Sequence, residues 1–505
     1  MKNLPTGWVE TTIGEVAEEP VEQRPPERGS EFTYVDISSI DREVKRVTSP
    51  QRLSGAAAPT RAKQRLRIGD VVVSMTRPNL NAVAYITNAL EGATGSTGFC
   101  ILRSRYVNGQ WLFYRVQSAD FVSAMSALVQ GALYPAVRPK DIYGFELTLP
   151  PVPEQGRIVA EIEKQFTRLD DAVAALKRVQ ANLKRYRASV LKAACEGRLV
   201  PTEAQLARKE KRSYEPASDL LKRISSSDEQ PKRKKRAGRL WGSGVVPELT
   251  VEERAGLPAG WSWAKVRDLG PEPDDVVQVG PMSMRSQDFE PDGTPVLNVG
   301  CVQWGRFDEA KLDHLPLDKA KSFSRYLIEP GDVLFTRSGT VGRCAVAQQH
   351  QKAWLMTFHL LRARPSPAIC LPEYLRIVFE GASHVRRQTR EASIGTTRAG
   401  FNTNLLANLD VPLPPLREQE RIVTALETEL SKVDAAVAAV GGALRRADRL
   451  RQSTLKSAFE GKLVPQDPAD EPASVLLERI HAARITNSAR KIGPGRWKGQ
   501  ACGNR

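Results

Sequence analysis

Two stretches of the chain carry apolar residues at every third or fourth position, the spacing that gives an α-helix one continuous apolar face. The first contains Ile162, Phe166, Leu169, Val173, Leu176, Leu183 and Val190, and the second contains Leu426, Leu430, Val433, Val437, Val440 and Leu444. Prolines precede Glu154 and Glu418, and Gly197 and Gly461 follow the two stretches, as at helix ends. The pattern predicts two helices that begin at these glutamates, each about 40 residues and roughly 60 Å long.

The two stretches are near-copies of each other. The segment from Leu149-Pro150-Pro151 to Val200-Pro201 returns as Leu413-Pro414-Pro415 to Val464-Pro465, at one constant offset (413 − 149 = 464 − 200 = 264). A single amphipathic helix of this length cannot bury its stripe against itself. We therefore expect the copies to pair as an antiparallel coiled coil that acts as a spacer. The alternative is that each helix packs on a domain of its own.

Outside the helices the pattern changes to short apolar runs broken by Gly, Pro, Asn and Asp, which is typical of strands and turns. Strands are predicted after Gly69-Asp70 and after Gly331-Asp332, and helices at 106–128 and from Pro372 onward. Both regions open with Leu-Pro-x-Gly-Trp, at 4–8 and at 257–261. We predict an α+β fold with two mixed α/β globules separated by two long antiparallel coiled-coil helices, arranged as a pseudo-two-fold internal repeat.

The predicted boundaries follow these changes of pattern. They give a first globule at 1–148, a long helix at 149–201, a charged linker at 202–256, a second globule at 257–412, a second long helix at 413–465 and a tail at 466–505. The linker contains five consecutive cations, 232–236. We interpret it as solvated and flexible, with a supplementary phosphate contact as the alternative. The basic, Gly-rich end from Lys491 is expected to be disordered.

The formal net charge of this 505-residue chain is +16, which suits a polyanionic partner. Nucleic acid is the commonest such partner, although ribosome-associated and membrane-surface proteins share the signal. Six scattered cysteines with no C-x-x-C pair indicate neither a disulfide framework nor a zinc site, and fit a reducing cytoplasm. No signal peptide and no apolar run of membrane-spanning length is evident.

Catalytic motifs are missing from the sequence. There is no G-x-x-x-x-G-K-[ST] loop for a nucleoside triphosphate, no glycine-rich loop for a methyl-donor cofactor and no [DN]-P-P-[YF] motif for amine methylation. The five histidines show no metal-ligand spacing, so no metal site is expected. A nuclease site built from carboxylates that are dispersed along the sequence is an alternative that these motif searches do not address.

Side chains suited to DNA binding follow the Gly-Asp strand of each globule and recur further along it. In the first globule they are Thr76, Arg77 and Asn79, then Tyr134, Arg138 and Lys140; in the second they are Thr336, Arg337, Ser338, Thr340 and Arg343, then Thr397, Arg398 and Asn402. Arginine pairs with guanine and asparagine with adenine through two hydrogen bonds each, and hydroxyls reach phosphates or base edges. An ordinary exposed turn is the alternative for any single residue, but recurrence in both globules favours binding.

With these motifs the chain resembles the DNA-specificity subunits of type I restriction–modification systems. The resemblance covers about residues 4–480. It rests on four paired motifs: the Leu-Pro-x-Gly-Trp openings, the Gly-Asp-Val strands, the Glu-Gln-x-Arg-Ile-Val helix starts and the Glu-Gly-[Arg/Lys]-Leu-Val-Pro helix ends. Gly395-Thr396-Thr397-Arg398 and the segment 402–405 add to them. The first globule departs from the pattern at Tyr134-Pro135-Ala136-Val137. The linker segment Glu215-Pro216-Ala217-Ser218 returns in the tail as Glu471-Pro472-Ala473-Ser474, at an offset of 256 (471 − 215) instead of 264. The linker is therefore about eight residues longer than the matching part of the tail.

The resemblance implies a non-catalytic, cytoplasmic protein in which each globule reads one half of a split, asymmetric site in double-stranded DNA. It also implies that the helices dock methyltransferase subunits, two being expected, and that a restriction and translocase subunit completes the complex. S-adenosylmethionine, ATP and Mg²⁺ would then serve those partners, and this chain would hold no cofactor and contact no membrane. Two alternatives are a single-chain enzyme that modifies or cleaves DNA and a coiled-coil scaffold without a nucleic-acid role.

Overall fold

The computed structural model describes residues 4–17, 21–129, 135–225, 246–270, 273–338, 341–392 and 401–491. Its contacts divide the chain into two compact units, one formed by residues 1–177 with 441–505 and the other by residues 178–440. Each unit contains one globule and a part of each long helix. The boundaries between the units therefore fall within the two long helices, not between the repeated segments of the sequence.

The first unit contains eleven strands among its described residues. They are β1 (Val9–Thr12), β2 (Glu31–Val35), β3 (Ile40–Asp41), β4 (Arg46–Val47), β5 (Gln51–Ser54), β6 (Ala62–Arg65), β7 (Val71–Ser74), β8 (Val83–Tyr85), β9 (Thr94–Ser96), β10 (Phe99–Leu102) and β11 (Glu146–Leu149). Its short helices are α1 (Ile13–Val16), α2 (Gly109–Arg115), α3 (Ala119–Ala127) and α4 (Pro139–Tyr143). The first long helix, α5 (Val152–Cys195), begins here and continues into the second unit.

The second unit also contains eleven strands among its described residues, and it contains more short helices than the first. Its described helices are α6 (Glu203–Glu210), α7 (Ala217–Ser225), α8 (Val251–Ala255), α9 (Pro273–Val276), α10 (Leu317–Lys321), α11 (Pro372–Gly381), α12 (Ser383–Ala392) and α13 (Thr403–Asn408). Its strands are β12 (Ser262–Lys265), β13 (Val277–Val279), β14 (Thr294–Leu297), β15 (Val302–Gln303), β16 (Arg306–Phe307), β17 (Asp313–Leu315), β18 (Val333–Thr336), β19 (Cys344–Val346), β20 (Leu355–Met356), β21 (Leu360–Ala363) and β22 (Asp410–Leu413). The second long helix, α14 (Leu416–Phe459), begins here and ends in the first unit, where α15 (Ala473–Lys491) follows.

The two globules share their strand topology, although their sequences share little beyond turn residues. A central antiparallel sheet has the order β10-β7-β8 in one and β13-β21-β18-β19 in the other. A second sheet joins β2 to β9 in parallel, just as β14 joins β20. The hairpin β3–β4 lies between β2 and β5 in the chain, and the hairpin β15–β16 lies between β14 and β17. In each globule the first strand pairs with the last, β1 with β11 and β12 with β22.

Within each unit the start of one long helix packs in the same core as the end of the other, so the helices are antiparallel. In the first unit Ile162 and Phe166 of α5 share a core with Leu455 and Phe459 of α14. In the second unit Leu191 of α5 and Leu426 of α14 do the same. Trp111 in one globule and Tyr374 in the other are completely buried in these cores, so each globule is built onto helix ends. This confirms the predicted antiparallel pairing.

The paired sequence motifs form matching contacts. Gln155 accepts a hydrogen bond from the Asn108 N–H (2.8 Å), and Gln419 accepts one from the Leu371 N–H (2.8 Å), so each glutamine ties a long helix to its own globule. The repeated Glu-Pro-Ala-Ser segments begin α7 and α15. Their alanine N–H groups donate to the Leu-Pro-x-Gly-Trp turns, from Ala217 to Gly260 and from Ala473 to Gly7, both at 2.9 Å.

Several predicted element boundaries are wrong. The long helices begin at Val152 and Leu416, two residues before Glu154 and Glu418. Pro153 is tolerated in the first turn of α5, where a helix N–H has no partner. The helix predicted over 106–128 is two helices, since Asn108 caps α2 and a turn at Gln117-Ser118 separates α2 from α3. The charged segment 202–256 contains α6, α7 and α8 in its described parts, and the predicted helix from Pro372 is confirmed as α11.

The linker's helices have anchors that charge patterning alone did not reveal. Thr202 caps α6, and the buried carboxylate of Glu203 pairs with Arg421 of α14 (2.7 Å) and with Arg212 (2.6 Å). The basic block 232–236 lies outside the described residues, as do residues 492–505 of the tail, whereas Lys491 ends α15.

Candidate nucleic-acid interface

Each candidate loop follows a strand that is fixed at its start by an ion pair between a buried aspartate and an arginine. The carboxylate of Asp70 accepts hydrogen bonds from the Arg103 Nε and Nη2 atoms, both at 2.7 Å. Asp332 accepts the same pair from Arg364, at 2.5 and 2.7 Å. Both carboxylates are completely buried. The aspartate of the Gly-Asp motif thus anchors β7 and β18, and the opposite end of each strand presents the candidate residues.

In the first globule the two predicted clusters lie side by side. Thr76 pairs with Ala136 in an isolated β-bridge, and the Arg77 N–H donates to the Pro135 carbonyl at 2.8 Å. The side chains of Arg77 and Asn79 are exposed, and Thr76 is half-buried. The structure therefore brings the loop 76–79 against the segment that leads to α4, as one polar surface.

Arg138 and Lys140, at the start of α4, are exposed on that second segment. The Arg138 N–H donates to the Asp141 carboxylate at 2.8 Å, and its Nε atom lies 3.3 Å from the same group. These bonds, the backbone one foremost, hold the pKa of Asp141 below its usual value. Arg138 is thus tethered at the helix start while most of its side chain faces solvent; Tyr134 lies outside the described residues.

The structure exposes further cations on this globule that the sequence motifs do not predict. Ala62 and Gln64 of β6 point inward, so Lys63 and Arg65 alternate outward and are exposed. Arg42 and Arg46 are exposed on the β3–β4 hairpin. The alternation in Arg61-Ala62-Lys63-Gln64-Arg65 is a period-2 strand signal with a basic outer face, and it could have indicated the first pair.

In the second globule the loop after β18 is held by a buried hydroxyl. Thr336 is completely buried, and its Oγ1 accepts a hydrogen bond from the Arg343 N–H at 3.0 Å. The sequence predicts Thr336 as a DNA contact, but in the structure its buried hydroxyl holds the two ends of the loop together. Arg343 is half-buried, and its Nη1 donates to Gln303 Oε1 of the β15–β16 hairpin at 3.0 Å. Ser338 is exposed, and Thr340 lies outside the described residues.

Arg337 contacts an aromatic ring of the same globule through its guanidinium group. It lies 4.2 Å from the centre of the Phe358 ring, and its N–H donates to the His359 carbonyl at 3.0 Å. Partial burial lowers the pKa of Arg337, although an arginine stays charged at any physiological pH. An arginine held over an aromatic ring has few accessible rotamers, which favours a defined hydrogen-bonding direction.

The second predicted cluster of this globule is only partly described. Phe401 is completely buried and contacts Phe335 of β18 with ring centres 6.2 Å apart, which places this segment against the strand before Arg337. Asn402 caps α13, its Oδ1 accepting the Leu405 N–H at 2.8 Å, so a helix start already uses that oxygen. Thr397 and Arg398 lie outside the described residues.

The described parts of the chain contain no cluster of three or more His, Cys, Asp or Glu side chains that could hold a metal ion. In the same parts, no helix has both the length and the apolar character needed to cross a membrane. Burial raises the pKa of the thiols of Cys195, Cys344 and Cys370, which keeps them protonated and unreactive.

Comparison with known proteins shows a likeness to one class of DNA-recognition protein. Residues 274–435 match the family described as type I restriction modification DNA specificity domain. The chain is 25% identical over 447 residues to the type I restriction enzyme EcoKI specificity subunit of Escherichia coli strain K12, covering 85% of this chain and 84% of that protein. It is 25% identical over 379 residues to the EcoBI specificity subunit of Escherichia coli, covering 74% and 71% respectively.

A solved structure agrees with these relatives. That structure concerns complex assembly and conformational transition of the type I R-M system. One of its chains superposes on this chain with a TM-score of 0.67 and is 25% identical in sequence. The match covers 92% of this chain and 100% of the other. The resemblance indicated by the motifs is thus confirmed, and the chain is similar to type I specificity subunits over most of its length.

Proposed function

We propose that this chain is the DNA-specificity subunit of a type I restriction–modification complex, in which each globule reads one half of a bipartite, asymmetric site. The observation that carries the proposal is the repeated frame with unlike loops. Equivalent strands β7 and β18, fixed by equivalent Asp–Arg pairs, end in different side chains, Arg77 and Asn79 in one globule and Arg337 in the other. A shared frame with different readers is what recognition of two dissimilar half-sites requires.

The chemistry of these loops suits duplex DNA. Exposed or stacked arginines can bind the O6 and N7 atoms of guanine through two hydrogen bonds in the major groove, and Asn79 can bind adenine in the same manner. The net charge of +16 supplies the long-range attraction to phosphates that carries sequence-independent affinity. The loops would then supply the discrimination between bases.

The long helices would serve as spacer and docking site. Each is one element of 44 residues, α5 and α14, so it can fix a separation between the half-sites that are read. Along them Val179, Tyr186, Val437 and Leu450 are exposed although large and apolar. Exposed apolar side chains at intervals on long helices favour partner helices. The partners would be methyltransferase subunits, two of them, and a restriction and translocase subunit.

Adenine methylation and restriction would be carried out by those partners, with S-adenosylmethionine, ATP and Mg²⁺ bound to them. The missing cofactor motifs support this division of labour. The two other functions have less support: a single-chain enzyme would need a site that the motifs do not provide, and a scaffold without a DNA role leaves the basic loops of both globules without a purpose.

Exchange of residues 257–412 for the matching globule of a relative with another site tests the proposal. The methylated sequence in cells that carry the complete system should change in one half-site and keep the other. A change in both halves would defeat the modular model. DNA cleavage or methylation by the purified chain alone, supplied with S-adenosylmethionine, ATP and Mg²⁺, would establish the single-chain enzyme instead.

A further inference from the structure

Three residues with strained backbone meet at the DNA-reading loop of the first globule. Among the described residues, five that are not glycine have a left-handed φ, and three of them are Lys45 (54°), Arg77 (50°) and Asn81 (44°). A residue other than glycine is strained in this region and keeps the conformation only where its surroundings hold it there. The surroundings that enforce it here are a set of hydrogen bonds centred on Lys45.

Lys45 projects from the β3–β4 hairpin and joins it to the far end of the loop. Its Nζ donates to the backbone oxygen of Asn81 at 2.6 Å and to the Asn81 Oδ1 at 3.0 Å. The Asn81 Nδ2 donates in turn to the Val116 carbonyl at the end of α2, at 2.8 Å. Arg77 begins the turn that Asn81 ends, since the Leu80 N–H donates to the Arg77 carbonyl at 2.9 Å. One amine therefore fixes the exit of the turn that presents Arg77 and Asn79.

The amine lies beside a cavity of about 550 Å³ within the first unit. The charged groups around the amine and the cavity are Asp41, Arg42 and Arg46 of its own hairpin, Glu163 and Asp170 of α5 and Arg451 of α14, with the phenols of Tyr85 and Tyr114. Arg451 is engaged with Asp170 and stacked on Phe166. The pKa of Lys45 is lowered to about 8, first by burial and then by the charges of Arg451 and Arg42.

We propose that Lys45 is a positioning residue for sequence recognition by the first globule, because its amine holds the 77–81 turn in the strained form that aims Arg77 and Asn79 at bases. The inference rests on the proposed function. Lys45 itself contacts no base; it acts through Asn81. A lysine that merely filled space would affect folding and both half-sites alike, whereas a positioning lysine affects discrimination in one half-site.

The test is selection of bound duplexes from a random pool by the full-length chain at pH 7. The first half-site is defined as the half of the selected motif that changes in Arg77→Ala. In Lys45→Met, preference for the bases of the first half-site should fall at least tenfold and the second half-site should persist. Lys45→Arg should restore the preference. Lys164→Met, which removes an exposed cation from α5, should leave the motif unchanged.

The pH profile provides a readout that does not depend on a variant that fails to fold. Between pH 7 and pH 9 the unmodified chain loses the charge of Lys45, so its preference for the first half-site should decline while that of Lys45→Arg persists. An unchanged motif in Lys45→Met, equal loosening of both half-sites, or the same profile in the unmodified chain and Lys45→Arg would overturn the inference. A chain that selects no bipartite motif at all would defeat the proposed function itself.

Discussion

The indole nitrogen of Trp8 donates a hydrogen bond of 3.0 Å to the carboxylate of Glu154, across 146 residues of sequence. The second unit repeats the contact between Trp261 and Glu418 at 2.9 Å. The tryptophan belongs to the opening motif of a globule, and the glutamate belongs to the first turn of a long helix. The two most conspicuous repeats in the sequence therefore recognise each other, and each copy joins a globule to the helix that follows it.

Glu418→Gln should destabilise the protein more than Glu154→Gln at pH 7. Glu418 accepts from the Trp261 Nε1 with one oxygen and from the Glu203 N–H (2.7 Å) with the other. A glutamine has one oxygen, so one buried donor loses its partner, which costs about 1–3 kcal/mol. Glutamine at position 154 keeps the Trp8 bond. The midpoints of urea unfolding of the two variants measure the difference; equal midpoints would contradict the prediction.

The same pair of variants has a pH signature. Burial raises the pKa of Glu154 and of Glu418, so the folded state holds these protons to higher pH than the unfolded chain does. The two protons contribute fully to the free energy of unfolding below about pH 4.5, and this contribution is lost as the pH rises through the pKa of each group in the folded state. Because glutamine does not titrate, the free energy of unfolding of Glu154→Gln should rise relative to the unmodified chain as the pH increases through that window.

Alanine at Gly461 should destabilise the protein, whereas alanine at Gly441 should stabilise it. Gly461 has a φ of 69°, and a Cβ atom there would lie 2.4 Å from Cγ of Pro5 in the opening motif. Gly441 lies within α14, and a Cβ there would meet nothing nearer than an arginine nitrogen at 3.6 Å. Glycine inside a helix costs about 1 kcal/mol relative to alanine. The midpoint of thermal unfolding should therefore fall in Gly461→Ala and rise in Gly441→Ala. A shift of both midpoints in the same direction would contradict the different roles of the two glycines.

Asp332→Ala should cost about 3–5 kcal/mol, because it leaves the buried guanidinium of Arg362 and the half-exposed one of Arg364 without their shared counter-charge. Arg364 forms both of its carboxylate bonds with Asp332, and the buried Arg362 lies 3.8 Å away. Asp318→Ala, at an almost fully exposed ion pair on α10, should change the free energy of unfolding by less than about 0.5 kcal/mol. Chemical unfolding of the two variants tests the contrast, which a similar loss in both would refute.

Arg337→Ala should weaken specific DNA binding by about 1–3 kcal/mol and relax one position of one half-site. Arg337→Lys retains the charge but neither the paired donors nor the stacking on Phe358, so it should recover affinity for random DNA without recovering discrimination. Binding titrations with matched specific and mutated duplexes separate the two effects. If binding is unchanged in both variants, Arg337 is an ordinary surface residue.

Binding should weaken steeply with salt, since each phosphate contact releases a counterion. A plot of the logarithm of the association constant against the logarithm of salt concentration should be linear. Arg337→Ala should leave its slope unchanged if Arg337 reads a base, and reduce it by about one if Arg337 binds a phosphate. A flat plot for the unmodified chain would contradict DNA binding as such.

The sequence by itself determined the parts of the fold that repeat. A stripe of period 3.6 and a constant offset of 264 define two long helices, and their length requires a partner, so antiparallel pairing could be predicted. It also placed Arg77 and Arg337 on loops after strands. It did not reveal that Thr336 is buried, because a hydroxyl in a turn has the same local pattern whether it faces solvent or closes the loop.

Only the tertiary structure decided which distant residues meet. Lys45 and Asn81, 36 positions apart, carry no periodic signal, and their strained backbone becomes favourable only when the hairpin and the turn are packed together. The helices in 202–225 were missed for the same reason, since Glu203 is stabilised by Arg421 of the other long helix. Local periodicity reports the face that an element buries, whereas long-range polar pairing depends on packing that the linear pattern does not contain.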